Sequence, residues 1–436
     1  MLKDSSLPCR RKIDFLGDFD TLHQLAKTSG FLQRAPRKVT PEGFVKAVML
    51  AGTSGSASFN AIAWQAGRIA GKASSRQNLH RRCDESAVRF LEAVSAHALQ
   101  HRSPFPSVAT GVFKRVLIHD GSLIRMADAL NPHFPAVSST EQDKAMLRLQ
   151  FAYDFTSGQT LFAKLEPYPR TDGAAAGDLI EHLKPGDLCL RDLGYYKAEW
   201  FQQMEAAGAF YVSRLKSGVT VVTGSGSHLR LDKFLSRMKG DLVDQRVQLG
   251  QAGDFHARLV ALRVPGEVAA QRRRRLHEQA KKKGATVSAL KLALADWVLL
   301  ITNLTKEQAD AETLRQLYRL RWHVEIVFKT FKSNGCLQLL TSHVSNPHHL
   351  QVLLLGQLLQ VILNLRLWRA LAGSSPEHPS SLLKMAGQAR ETLEALWLTG
   401  RSALLWKGHV RRLLYYCRYD RRRLKSLTTL HAELLR

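Results

Sequence analysis

Residues 318–332 read YRLRWHVEIVFKTFK, from Tyr318 to Lys332. The stretch follows an apolar, strand-like run and meets no Pro or Gly before Gly335, so it is expected to form one helix. At about 100° per residue, Tyr318, Arg321, Glu325 and Lys332 fall within roughly 60° of one another on the helical wheel. Leu317, Leu320, Val324, Val327, Phe328 and Phe331 fill the adjoining arc. One carboxylate therefore stands in a row with two cations and a phenol. An ordinary surface helix scatters mixed charge for solubility, which accounts for any one of these residues but less well for the whole stripe. A Glu beside Arg and Lys has the makings of a metal ligand whose neighbours grip phosphate.

The spacing Tyr, two residues, Arg, three, Glu, six, Lys resembles the signature of the bacterial insertion-sequence transposases of family four. That resemblance implies an Asp-Asp-Glu active site on a ribonuclease-H-like fold. It also requires two Asp residues upstream, at the ends of adjacent strands.

Global composition bounds the reading. A chain of 436 residues with 45% hydrophobic content is long enough for two or three domains with real cores. A net charge of +26 and a pI near 10.2 favour a polyanionic partner. A ribosomal or membrane-surface protein would share the charge, but so large an apolar core is uncommon in the first. For the second, the most apolar stretch, Leu350 to Trp368, carries Gln357, Gln360 and Asn364 at helical spacing and reads as an amphipathic helix, not a span. The N-terminus has no apolar signal core. Cys9, Cys83, Cys189, Cys336 and Cys417 are scattered and form no Cys-x-x-Cys, so neither a zinc site nor a disulfide framework is expected, and a cytoplasmic location fits.

Residues 1–105 read as a helical, basic DNA-binding domain. Phe15 to Thr28 and Pro41 to Ala51 are amphipathic segments, the second with Thr40 as N-cap. Ser58 to Gly67, a turn, and a helix opened by Ser75 resemble a helix-turn-helix, whose Arg76, Gln77, Asn78 and Arg81 would meet DNA. A helical bundle with a wet basic face has the same pattern. Residues 101–110 form a Pro-marked linker.

Val116-Leu-Ile118 is a short buried strand delivering Asp120 at its end, followed by Gly121 and Ser122. Lys144 to Tyr153 and Thr160 to Leu165 alternate as an antiparallel meander. Thr171 to Leu183 reads as helix, and Leu188-Cys-Leu190 as a second short strand ending at Asp192, with Gly194 close behind. Helix Ala198 to Ala207 and strand Ala209 to Arg214 follow. The order is that of a mixed α/β, ribonuclease-H-like core, spanning 113–214 and 295–340. Asp120-Gly-Ser and Asp192-Leu-Gly-Tyr resemble the family's motifs around its first and second catalytic Asp. Residues 215–294 read as a β-rich insertion, with basic runs at 272–275 and 281–283; Trp297 to Asn303 then returns as a strand. Residues 341–436 read as a helical C-terminal region, its last helix, Ala403 to Leu424, carrying Arg411, Arg412, Arg418 and Arg421 to Arg423.

Asp120, Asp192 and Glu325, if they converge, would hold two Mg²⁺ ions, with Mn²⁺ as substitute, because hard carboxylate oxygens suit both. Three converging carboxylates repel one another without a cation, so such a cluster is costly in a purely structural role. Arg321 and Lys332 would grip phosphates, Tyr318 would stack on a base or bond a phosphate, and Arg214 and Lys216 would face DNA. His119 and His323, beside two of the acids, read as packing residues. The resemblance implies a cut-and-paste enzyme. It binds terminal inverted repeats of double-stranded DNA, nicks, forms and reopens a hairpin, and joins the freed 3′ ends to target DNA. Its synaptic complex would hold at least two copies of the chain. Some relatives use a Trp of the insertion to hold a flipped base; Trp297 lies at the insertion's exit. The competing readings are a structure-specific nuclease on the same fold and a non-catalytic DNA-binding regulator of element ends.

Overall fold

A computed structural model of the chain describes residues 7–16, 19–36, 38–53, 58–100, 112–136, 143–223, 226–282, 284–334, 344–374, 379–398 and 402–419. It is a mixed α/β protein, as expected. The chain divides into two compact units, each built from separated segments: Met1–Ala109, Gly121–Arg170 and His323–Arg436 in the first, Thr110–Asp120 and Thr171–Trp322 in the second.

The first unit is organised on the long helix Pro347–Ser374. Helices Pro41–Gly52 and Glu85–Gln100 pack against it. The approach is close: a Cβ on Gly52 would stand 1.7 Å from the Gln357 amide nitrogen, and one on Gly356 would meet a Val48 methyl at 2.5 Å. The expected amphipathic face is absent. Gln357, Gln360, Asn364, Arg366 and Arg369 are all at least 94% buried. Two of the polar ends are used inside the unit: Arg369 Nε donates to the Thr156 carbonyl, and the Arg366 guanidinium sits over the Phe15 ring at 5.7 Å. Trp368 Nε1 likewise donates to the Ser380 carbonyl at 2.8 Å. Among the described residues this is the one helix long and apolar enough to cross a membrane, and it is the core of the unit.

Around it, side-chain caps start the helices where the Ser and Thr residues predict. Thr40 Oγ1 accepts from Gly43 N (3.0 Å), Ser58 Oγ from Ala61 N and Ser75 Oγ from Asn78 N (both 3.2 Å). Helix Phe59–Ala70 stops at Gly71, whose φ of 64° is the left-handed conformation, and helix Arg76–Arg82 follows. Phe15 to Thr28 gives a helix only over Phe19–Thr28. The expected C-terminal helices are shorter: Leu382–Ala386 and Ala389–Trp397 replace one segment, and Ala403–Tyr416 ends before Arg418. The linker at 101–110, Gly335, Cys336 and Arg421 to Arg423 lie outside the described residues.

Strands β1 (Arg115–Met126), β2 (Ala145–Asp154) and β3 (Thr160–Pro167) follow in the chain. β1 does not end at Asp120, as the Gly-Ser behind it predicts. Gly121 stays extended, and Leu123 to Met126 alternate outward and inward in strand fashion. This second half of β1 and the antiparallel pair β2–β3 belong to the first unit, in the order β3-β2-β1.

The second unit holds the first half of β1 together with β4 (Asp187–Arg191), β5 (Phe210–Arg214), β6 (Thr220–Val222), β7 (His228–Arg230), β8 (Leu242–Leu249), β9 (Phe255–Arg263) and β10 (Trp297–Thr302). Their order is β1-β4-β5-β10-β9-β8-β6-β7. β1, β4 and β5 are parallel, and β10 runs antiparallel to both β5 and β9. The strands of residues 215–294 therefore extend the same sheet and do not build a second one. The segment also carries helices, of which Gly266–Lys282 bears Arg272 to Arg275. Thr171 to Leu183 is one α-turn, Asp172–Ala175, tightening into a 3₁₀ stretch, Ala176–His182.

Candidate active site

Parallel pairing of β1 with β4 places the two aspartates. Arg115 faces Asp187, and the register runs in step to Ile118 opposite Leu190. Asp120 follows Ile118 by two residues within β1, and Asp192 follows Leu190 by two, one residue past the end of β4. Alternation along a strand turns their neighbours to the opposite face. His119 is fully buried with its ring 4.5 Å from that of Tyr195, and Arg191, also fully buried, donates from Nη2 to the Ala176 carbonyl at 2.6 Å. His119 is a packing residue, as read from the sequence.

Helix Ala311–Leu320 and the residue that follows it bring two more side chains to the aspartates. The helix starts at Asp310, whose Oδ1 accepts from Thr313 N at 2.7 Å, and buries Leu314, Leu317, Tyr318 and Leu320. The expected single helix from Tyr318 to Lys332 is interrupted: one helix ends at Leu320, and the next, Trp322–Asn334, begins after Arg321. No Pro or Gly makes the break. Arg321 N turns to the Tyr318 carbonyl at 3.1 Å, an i→i−3 bond. The Arg321 side chain is meanwhile held by Asp120, with Nη1 donating to Asp120 Oδ2 at 2.7 Å. That pair is nearly dry, with side-chain exposures of 7% and 15%. Tyr318 Oη donates to Asp192 Oδ1 at 3.1 Å. Burial first, and then the charge of Asp192, pushes the Tyr318 hydroxyl well above its ordinary range, so it remains a donor at every working pH.

Beside this group lies a cleft of about 660 Å³. Arg214, Arg272, Arg275, Arg315, Arg319 and Arg321 line it, together with Trp297 and Trp322. Arg214 is exposed at the end of β5, in the place the sequence indicates. Lys216 instead donates to the Tyr196 carbonyl at 3.2 Å. Trp297 is 6% exposed, with the Arg263 guanidinium 4.6 Å over its ring. The exposed indole of the cleft is Trp322, at 56%. Sequence reasoning passed over Trp322 and over Arg315 and Arg319. The signal for all three was available in the opening stretch and just before it, where a basic or aromatic residue recurs outside the apolar arc.

Glu325 and Lys332 belong to the first unit, exposed on helix Trp322–Asn334. That helix is anchored at its start by His323, 3% exposed, whose Nδ1 is 2.7 Å from the Tyr153 hydroxyl. Arg76, Gln77, Asn78 and Arg81 are exposed along helix Arg76–Arg82 of the same unit, around the buried Leu79. Among the described residues no group of three or more His, Cys, Asp or Glu side chains has the spacing of a metal site. Asp120 and Asp192 each offer hard carboxylate oxygens, a donor type that fits Mg²⁺ or Mn²⁺ better than a softer metal.

Known proteins resemble the chain. It is 29% identical over 334 residues to the transposase for insertion sequence element IS231C of Bacillus thuringiensis subsp. berliner, covering 72% of this chain and 70% of that one. To the transposase for insertion sequence element IS1151 of Clostridium perfringens it is 22% identical over 339 residues, covering 72% and 71%. A cryo-EM structure of a piggyBac transposase synaptic complex with hairpin DNA superposes with a TM-score of 0.48 at 9% identity, over 93% of this chain and 84% of that one. Residues 111–363, more than half of the chain, match the family model described as a transposase DDE domain. The match begins ahead of Asp120 and runs past Lys332, and on it the chain belongs to the family of DDE-domain transposases.

Proposed function

We propose that the chain is the transposase of a bacterial insertion sequence and moves it by cut-and-paste transposition. The observation that carries this reading is that Tyr318 and Arg321, three residues apart, bond the carboxylates of Asp192 and Asp120, which follow the paired strands β4 and β1. Family membership supports it.

In this mechanism Asp120, Asp192 and Glu325 would hold two divalent cations, Mg²⁺ in the cell and Mn²⁺ as substitute, which would supply Lewis-acid activation of the attacking oxygen and charge stabilisation of the leaving one. Tyr318 orients the Asp192 carboxylate through its hydroxyl. Arg321 and Lys332 grip the phosphates flanking the cut, Arg321 with its planar fork and Lys332 as a point charge. Arg214, Arg272 and Arg275 line the path of the DNA backbone. Arg76, Gln77, Asn78 and Arg81 contact the terminal inverted repeats, Arg, Gln and Asn being residues that pair bidentately with base edges. Two element ends must be brought together, so at least two copies of the chain act on DNA in the cytoplasm. Nicking is followed by a hairpin on the element end, its reopening, and transfer to target DNA.

The test is Mg²⁺-dependent cleavage of linear DNA carrying the inverted repeats that flank the gene, with wild type beside Glu325→Ala and Asp192→Asn. Specific 3′ nicks and hairpins from wild type, lost in both variants while repeat binding survives, are the expected result. Binding without cleavage by wild type would leave a regulator of element ends. Cleavage without strand transfer would leave a nuclease.

A further inference from the structure

We infer that Arg321 is a substitute cation that occupies the Asp120 carboxylate until DNA draws it away, so that metal and DNA load together. The inference rests on the reading of Asp120 as a metal ligand and of the cleft as the DNA path.

Carboxylates that serve one metal site repel one another unless a positive charge lies beside them. In this chain that charge is the Arg321 guanidinium, bonded to Asp120 Oδ2 at 2.7 Å in a nearly dry environment. A divalent cation needs the same carboxylate, and the guanidinium on Oδ2 occupies one of its lone pairs and repels the incoming charge. Metal entry is therefore opposed until Arg321 moves away. The residue is built for displacement. It is the single residue between helices Ala311–Leu320 and Trp322–Asn334. Its guanidinium lies 5.8 Å from the Tyr318 ring and 5.4 Å from the exposed Trp322 ring, so aromatic faces border its path. It also lines the cationic cleft, where a phosphate offers the bidentate partner that Asp120 offers in the free protein. A DNA phosphate that takes Arg321 opens Asp120 to the cation. By linkage, a cation that takes Asp120 frees Arg321 for the phosphate, and each ligand tightens the other by the same factor.

The experiment measures Mn²⁺ binding to the full chain by the electron paramagnetic resonance of free Mn²⁺. Wild type, Arg321→Gln and Asp120→Asn are compared, each with and without a duplex carrying the terminal inverted repeat. Without DNA, Arg321→Gln binds Mn²⁺ about ten-fold more tightly than wild type, although its cleavage is lost; ten-fold is about 1.4 kcal/mol. The duplex tightens Mn²⁺ binding by wild type by about the same factor and by Arg321→Gln by less than about two-fold, after subtraction of the Asp120→Asn signal. Equal Mn²⁺ affinity of wild type and Arg321→Gln, with binding lost in Asp120→Asn, overturns the inference and leaves the metal site standing. Unchanged binding by Asp120→Asn removes Asp120 from the metal and overturns the reading beneath it. If Arg321→Gln fails to fold, the wild-type arm decides alone: no DNA-induced tightening sinks the inference.

Discussion

Replacing Asp187 with Asn tests whether the far end of β1 and β4 sets the geometry of the aspartates. Arg115 Nε donates to Asp187 Oδ1 at 2.8 Å, and its Nη2 reaches both Oδ2 and the His182 carbonyl. Lys184 N also donates to Oδ2, at 2.7 Å. The Asp187 carboxylate is fully buried and Arg115 is 20% exposed. Arg115 and Asp187 are register partners, and each aspartate of the site lies five residues beyond its clamp residue. Because side chains alternate, a slip of one residue would turn one aspartate to the face of His119 and Arg191. Asp187→Asn keeps the shape and removes the charge, leaving Arg115 facing a neutral amide. Breaking a buried pair from one side costs about 3–5 kcal/mol, and the partial exposure of Arg115 places the cost near the lower end, about 3 kcal/mol. At about 2–4 °C per kcal/mol for a unit of this size, the transition of the second unit falls by about 6–12 °C. Differential scanning calorimetry reads the shift, and cleavage assayed well below both transitions reads the site. Loss of activity in the folded variant is expected, because the register is held less firmly. A transition within about 1 °C of wild type, with full activity, would refute the clamp.

Two further outcomes concern pH. Burial pushes the Cys83 and Cys189 thiols and the Tyr196 hydroxyl up to about 12, and raises the Tyr153, Tyr211 and Tyr318 hydroxyls as well. These groups stay protonated in the native chain while the unfolded chain ionises, so stability is intact below about pH 8.5 and falls steadily as the pH rises through 10 and beyond, which urea titrations between pH 8 and 11 will show as a declining midpoint. At the acid side, burial and then the charge of Arg412 hold His409 down to about 4, with its Nε2 2.9 Å from Thr392 Oγ1. Its contribution is present above the unfolded value of 6.5 and is lost as the pH falls toward 4. His409→Leu therefore flattens the stability profile over that window, and an unchanged profile would remove His409 from the acid transition.

Local signals in the chain were strong where one element dictates its own form. Asp120 and Asp192 were legible because a short apolar run delivers each, and the helix starts were legible because Thr40, Ser58 and Ser75 cap them. What escaped depends on partners distant in sequence. Gly121-Ser122 looks like a turn, yet the strand continues because β2 lies beside it. The break at Arg321 has no residue-level mark, and Asp120, two hundred positions away, holds its side chain there. Gln357, Gln360 and Asn364 have the spacing of a wet helical face and are buried because neighbouring helices cover them on every side. The strands of 215–294 read correctly as β, but their joining the edge of the core sheet is set by pairing of β9 with β10, which no local pattern records.

The central helix of the first unit also orders events during synthesis. Helices Pro41–Gly52 and Glu85–Gln100 pack on residues 347–374. Those partners leave the ribosome some 250 residues later, a delay on the order of tens of seconds at 5–20 residues per second. A nascent or truncated chain thus carries these two helices without the core that they pack on. Only a chain made through residue 374 can bury their apolar faces, so any shorter product exposes them.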